Sequence, residues 1–313
     1  MTRFRWLIRR VLALTGVAAT VLAMLAGVLA MGGPLPVANA TSLPYRDSLA
    51  PDLRPLLGLS GKLRAVEFAL NRAIPAPLAA LLPTLARSGP GVHPTGLEAP
   101  DGAPIHAISL VPLGDKQGSS WRGYRVGFWP GERVANRFRS RYPLPDGFLE
   151  VTRENQDLPL STHFRVRDFL THDQQDTWPK VLVIQLPLLD KLELVEQALV
   201  ALNKPAALRV MSGFRTPQYN SLGVGPLGGR ARDSRHMYGD AADVYVDADG
   251  DGQMDDLDGD GRVTIRDAQW LARVVAGVEA AHPGLTGGIG IYHATPTHGP
   301  FVHIDTRGTP ARW

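Results

Sequence analysis

The sequence has 313 residues, 44% of them hydrophobic and 20% charged, a balance that excludes a disordered chain and fits one large folded domain or two small ones. The first 40 residues carry Arg3, Arg5, Arg9 and Arg10 and no acid, and without them the net charge falls from +3 to −1, so the basic balance is not a nucleic-acid footprint. There is no cysteine, which excludes disulfides and thiolate chemistry but does not decide the compartment.

The N-terminus points to export. Behind the four arginines, an uncharged apolar run extends from Val11 to Met31. It is long for a signal-peptide core and about long enough to span a bilayer, which takes roughly 20 residues. Ala38 and Ala40 then form the small-x-small pattern of a signal-peptidase site. Residues 1–40 therefore read as a cleaved signal peptide or an uncleaved anchor through 11–31. The flanking charges argue against a buried core helix, and the surroundings of Arg9-Arg10 fit a twin-arginine signal poorly. In either form the positive end stays inside, so the rest is expected in the periplasm, free or anchored at the inner membrane.

Residues 41–157 form a less defined N-terminal region to which no chemistry is assigned. Leu63, Val66, Leu70 and Ile74 recur at helical spacing, and residues 88–104, rich in proline and glycine, read as a linker. Ile105–Val111 and Tyr124–Trp129 are expected strands. From residue 158 the texture changes. Leu186, Leu189, Leu192, Val195, Leu199 and Leu202 predict a helix over Leu182–Leu202. Leu208–Met211, Val244–Val246, Ile289–Tyr292 and Phe301–Ile304 read as strands, and Gln269–Ala281 as an amphipathic helix. Strands mixed with two helices predict an α+β domain over 158–313.

Within that domain, His236 and Asp243 stand seven residues apart with Gly239, Ala241 and Ala242 between them, and His303 follows in the apolar strand pattern Phe301–Ile304. Imidazole nitrogen and carboxylate oxygen are zinc ligands, and two histidines with one carboxylate leave a fourth position open, as in catalytic sites. The bland alternative is that these are satisfied core histidines, and spacing alone leaves both open. Asp305 is expected on the same strand face as His303.

The segments Ser212-Gly213-Phe214-Arg215-Thr216-Pro217, Ser234-Arg235-His236 with Gly239, Ala241, Ala242 and Asp243, and Val302-His303-Ile304-Asp305 resemble the zinc D-alanyl-D-alanine carboxypeptidase family. That family shares its fold with VanX-type dipeptidases, phage endopeptidases and hedgehog-like domains. The match is nearest to an exported bacterial branch ending much like Thr306 to Trp313, and Leu160 to Phe164 with Asp168-Phe169-Leu170 resembles the start of the domain. The resemblance implies a small mixed domain whose antiparallel sheet carries zinc on His236, Asp243 and His303. It also implies that Arg215 faces the substrate and stabilises the scissile carbonyl or a terminal carboxylate, a task suited to a guanidinium that never deprotonates. Ser234 and Tyr238 are candidates for positioning the ligand loop.

One departure from the family stands out. Relatives with hydrolytic chemistry usually carry a glutamate three residues, or a histidine two residues, before the last histidine, whereas here, as in the branch the chain most resembles, those positions hold no proton-moving group, being Pro300 and Phe301. His298, Asp305 or His293 are the remaining candidates for that task. The expected activity is zinc-dependent hydrolysis of a D-amino-acid amide in peptidoglycan peptides. The alternative is a non-catalytic cell-wall peptide-binding or structural periplasmic domain of the same fold.

Residues 247–267 form an acidic insert with two overlapping calcium-loop frames. The better one runs Asp256, Asp258, Asp260, Gly261, Arg262 (through its backbone carbonyl) and Asp267, and the other begins Asp247, Asp249, Asp251. Seven carboxylates between Asp247 and Asp260 repel one another unless a cation is present. At least one calcium is therefore expected, with Val263 anchoring the loop; a solvated acidic turn is the plainer alternative.

Overall fold

The computed structural model describes residues 53–68, 89–133, 141–225 and 229–313. The expected export segment 1–40, with its apolar run 11–31, lies outside them, as do Leu70 and Ile74. No helix among the described residues is long and apolar enough to cross a membrane.

The N-terminal region is built from strands. β1 (Ala65–Phe68), β2 (Gly91–Glu98) and β3 (Pro104–Ser109) form a sheet in the order β1-β3-β2. Leu63 and Val66 thus belong to extended chain and not to the expected helix. Tertiary pairing overrides the local periodicity here: β1 runs parallel to β3, and Arg64 N–H donates to Leu160 O at 2.9 Å. The stretch read as a linker over 88–104 contains β2. Pro94 is tolerated because β2 is an edge strand and its register with β3 shifts between Pro94 and Glu98. A small core of Leu56, Leu57, Val66, Ala99 and Ile105 backs this sheet.

Further on, β4 (Val111–Pro112), β7 (Gly147–Val151) and β8 (Lys180–Leu182) form a second sheet, and β5 (Ser120–Trp121) pairs with β6 (Tyr124–Arg125). β6 covers only the start of the strand expected over 124–129. The β7–β8 pairing crosses the expected boundary at 157/158, and so does the main core. Leu63, Ala65, Ile108, Tyr124, Trp129 and Phe148 belong to the same buried cluster as Leu192, Val244 and Val302.

The site rests on a five-stranded sheet in the order β13-β11-β12-β10-β9: β9 (Leu208–Ser212), β10 (Ala241–Val246), β11 (Gly288–Tyr292), β12 (Phe301–Asp305) and β13 (Ala311–Arg312). All pairings are antiparallel except β11 with β13. One face turns Ala242, Val244, Val246, Val302, Ile304 and Ile289 into the core, towards α1 (Leu186–Ala201) and α3 (Ile265–Ala281). α2 (Pro217–Ser221) is a single short turn after β9, capped by the Thr216 hydroxyl, which accepts from Tyr219 N–H.

α1 is buried around most of its circumference, including Asp190, Lys191, Glu193 and Glu196, so each of these charges needs a partner. Asp190 accepts from Leu59 N–H (2.6 Å) and Ser60 N–H (2.7 Å), tying the N-terminal region to the domain. Lys191 donates to Glu279 on α3 (2.6 Å) and to Asp305 O (2.8 Å). The architecture is the α+β arrangement the sequence implies.

Candidate metal centre

The pleat decides which side chains share a face, and the register decides which share a row. Ser212, Asp243, His303 and Gly290 are successive cross-strand partners on β9, β10, β12 and β11. Asp243 and His303 thus stand side by side on the face opposite the core. His236 arrives from a 3₁₀ turn, Arg235–Tyr238, that ends at Gly239. Gly239 has φ +71°, and a Cβ there would lie 2.4 Å from Val183 O, so both the turn and the close approach require glycine.

The three candidate ligands converge. His303 Nδ1 lies 3.0 Å from Asp243 Oδ1 and 3.1 Å from His236 Nε2, and His236 Nε2 lies 3.3 Å from Asp243 Oδ1. Zinc bonds of about 2.0–2.1 Å at tetrahedral angles put ligand atoms about 3.3 Å apart, so the donor set fits this metal. The outer nitrogens fix which lone pairs point inward. His236 Nδ1–H donates to Gly213 O at 2.7 Å, and His303 Nε2–H donates to Asp305 Oδ2 at 3.1 Å. This leaves Nε2 of His236 and Nδ1 of His303 as acceptors aimed at a carboxylate oxygen, and a cation between them satisfies all three.

All three residues are buried. Burial pushes the His236 pKa down. For Asp243, burial pushes up but is outweighed by the neighbouring His236, His303 and Arg215, so the carboxyl stays well below the usual range. For His303, burial pushes down but its bonds to Asp243 and Asp305 win, and its pKa is raised.

Arg215 shares this cleft. Its Nε donates to Ser212 Oγ at 2.9 Å and its Nη2 pairs with Asp243 Oδ2. The cleft holds about 1260 Å³ and is lined by the metal-site residues, by Arg141, Arg230 and Arg307, and by His172, His293 and His298. His298 sits in the turn Thr295–His298, and its Nδ1–H donates to Gly299 O at 2.8 Å. Asp305 is not a member of the lining. It is fully buried behind His303, accepting from Gly288 N–H at 2.7 Å and paired with Arg307, and these partners with His303 hold its pKa far below the usual range against the upward push of burial. That environment supports a residue that orients His303, not a proton carrier. Ser234 lines the cleft as the cap of the His236 turn, and Tyr238 donates to Asp233 Oδ1 at 2.7 Å.

The acidic insert forms two similar turns. Asp247, Asp249 and Asp251 bring carboxylate oxygens within 4.8 Å of one another, and so do Asp256, Asp258 and Asp267. Asp260, expected with the second group, is not among these three; it pairs with Arg266 at 2.9 Å, as Asp258 also does at 3.1 Å, and Arg262 donates its N–H to Asp260. Val263 does not anchor the loop, being 47% exposed; Leu257 and Met254 are the buried anchors. Asp267 starts α3 as the acid of a capping box with Thr264 and also accepts from Leu257 N–H at 2.8 Å.

Three residues of the site received no role from the sequence. Gly213 holds His236 through its carbonyl, Ser212 holds Arg215, and Trp313 packs its ring 5.2 Å from that of His303. Ser212 and Gly213 lie in the recognised Ser-Gly-Phe-Arg motif; no local signal marks Trp313.

Residues 162–256, under a third of the chain, match the Peptidase M15 family, one of zinc D-alanyl-D-alanine carboxypeptidases. The match contains Arg215, His236 and Asp243 and ends before His303. No curated protein and no solved structure matches the chain.

Proposed function

We propose that this chain is an exported zinc-dependent peptidase that hydrolyses a D-amino-acid amide in peptidoglycan peptides. The observation that carries the reading is the convergence of His236 Nε2, His303 Nδ1 and Asp243 Oδ1 at zinc-ligand separations, the first and last of these residues lying in the segment that matches Peptidase M15. His236, Asp243 and His303 would hold the metal. A bound zinc supplies the Lewis acid that polarises a carbonyl and makes water a nucleophile at neutral pH.

The chain's own groups do the rest. Gly213 O and Asp305 fix the two imidazoles in the tautomers that ligation needs. Arg215, held at Nε by Ser212, turns its guanidinium to the cleft, where it orients a substrate carboxylate or steadies charge developing on the carbonyl oxygen. His298 gives its Nδ1 proton to Gly299 O, so Nε2 is the atom able to take a proton and deliver it to the leaving amine. The arginines lining the cleft favour a ligand that carries carboxylates. In this reading Asp256, Asp258 and Asp267 hold calcium with the backbone of Arg262. Asp247, Asp249 and Asp251 add a second, partial site, and residues 1–40 direct the chain to the periplasm.

A second reading follows from Pro300 and Phe301, which stand where active relatives carry a proton-moving group. In it the domain recognises cell-wall peptide without cutting. Purified protein incubated with muropeptides, with and without a zinc chelator, separates the two. Chelator-sensitive release of a D-amino acid or a shortened peptide supports the peptidase, whereas binding without product supports the recognition module.

A further inference from the structure

We propose that Trp313 is a substrate-positioning residue: its indole face forms an apolar shelf beside the metal ligands and takes the small apolar side chain that flanks the scissile amide. The proposal rests on the peptidase reading.

The shelf completes the row that carries the site. Ser212, Asp243, His303 and Gly290 are neighbours across four strands, and Gly290 alone has no side chain. A Cβ on Gly290 would meet the Trp313 ring at 2.4 Å. The indole thus lies where the next side chain of the row would stand, while Arg215, bonded to Ser212, marks the other end.

The ring is held rigidly. Ile291 N–H donates to Trp313 O at 2.9 Å, Trp313 N–H donates to Ile289 O at 3.3 Å, and the indole N–H donates to Tyr292 Oη at 2.7 Å. Tyr292 in turn stacks on Phe301, their ring centroids 4.6 Å apart. The preceding Arg312 pairs with Glu279, which the buried Lys191 also binds.

Despite this anchoring, Trp313 is 49% exposed and lines the cleft. A fixed aromatic face offers apolar area at little ordering cost when a ligand arrives. Its N–H is already given to Tyr292, and the Arg307 guanidinium lies 5.5 Å from its centroid, so the ring offers a ligand apolar contact and no hydrogen bond. A peptide with an alanine methyl beside the amide and a carboxylate for Arg215 matches both ends of the row.

The test uses the full zinc-loaded chain, Trp313→Ala and Trp313→Phe, and two acetylated tripeptides ending in D-Ala-D-Ala or Gly-Gly. Hydrolysis and calorimetric binding are measured in parallel with zinc content and Tm. The expected result for Trp313→Ala is about a tenfold rise in KM and Kd for the alanyl peptide, a much smaller change for the glycyl one, and unaltered kcat and zinc content. Phenylalanine should restore most of the loss. Unchanged KM and Kd in Trp313→Ala, or a loss confined to zinc content and kcat, overturns the shelf while leaving the peptidase standing. Trp313-dependent binding without hydrolysis supports the shelf and overturns the peptidase; neither binding nor hydrolysis overturns both.

Discussion

Asp243 and His303 are direct partners across the β10–β12 ladder, with Oδ1 of one 3.0 Å from Nδ1 of the other. Two residues 60 positions apart in sequence are thereby held in one pleat row, where a metal would find two ligands on paired strands before the His236 turn closes the third side.

Removing His303 should therefore abolish the site. His303→Ala is expected to lower zinc from about one ion per chain to near zero, with hydrolysis lost and the far-UV spectrum retained. Asp305→Asn, which weakens the orientation of His303 and also the pairing with Arg307, should cost about tenfold to a hundredfold in zinc affinity, read alongside Tm. Metal analysis after dialysis against graded chelator checks both; full zinc retention in His303→Ala would sink the assignment.

Arg215→Ala should lower turnover by about a hundredfold, the scale set by loss of a charge-stabilising donor. Arg215→Lys should recover little, because the lysine lacks the fork that reaches Ser212 and Asp243 together. Steady-state kinetics alongside thermal unfolding check this: a fall in Tm that accounts for the lost activity would assign Arg215 a structural task.

Calcium should raise Tm by roughly 5 to 10 °C at a concentration about a hundred times its Kd, if the insert binds it in the folded state only. The measurement is made with saturating zinc and a chelator selective for calcium. Asp256→Asn should abolish the shift. An unchanged Tm, with no heat of binding, would leave the segment an acidic turn closed by its own backbone N–H groups.

A pH effect should arise far from the metal. Burial pushes the pKa of Glu196 on α1 from 4.5 up to about 7, while the Glu193 bond raises that of His163. Between about 4.5 and about 7 the folded chain keeps a proton on Glu196 that the unfolded chain has released. This contribution to stability is complete below the lower value and lost as pH rises through the upper one; His163 acts in the same direction. Glu196→Gln keeps an acceptor for Leu208 N–H, so its Tm should fall less than that of the wild type between pH 5 and pH 8. An equal fall in both proteins would refute the assignment.

Much of the structure beyond residue 158 was legible in the chain itself. The leucine repeat of α1, the alternation of β12 and the Ser-Gly-Phe-Arg and His-x₆-Asp motifs are local patterns, and local patterns report which face a residue takes. They could not report partners. β1 and β2 contradict the helical spacing of Leu63 and Val66 and the linker composition of 88–104, because long-range ladders to β3 and to Leu160 outweigh local preference. The sequence by itself determined which residues have ligand chemistry and that His303 lies in a strand. Only the tertiary structure decided that Asp305 stands behind His303 and not in the cleft, that Asp260 turns to Arg266, and that Trp313 lies over Gly290. Each of these depends on strand register and on buried charges finding partners, and both are settled by segments far apart in the chain.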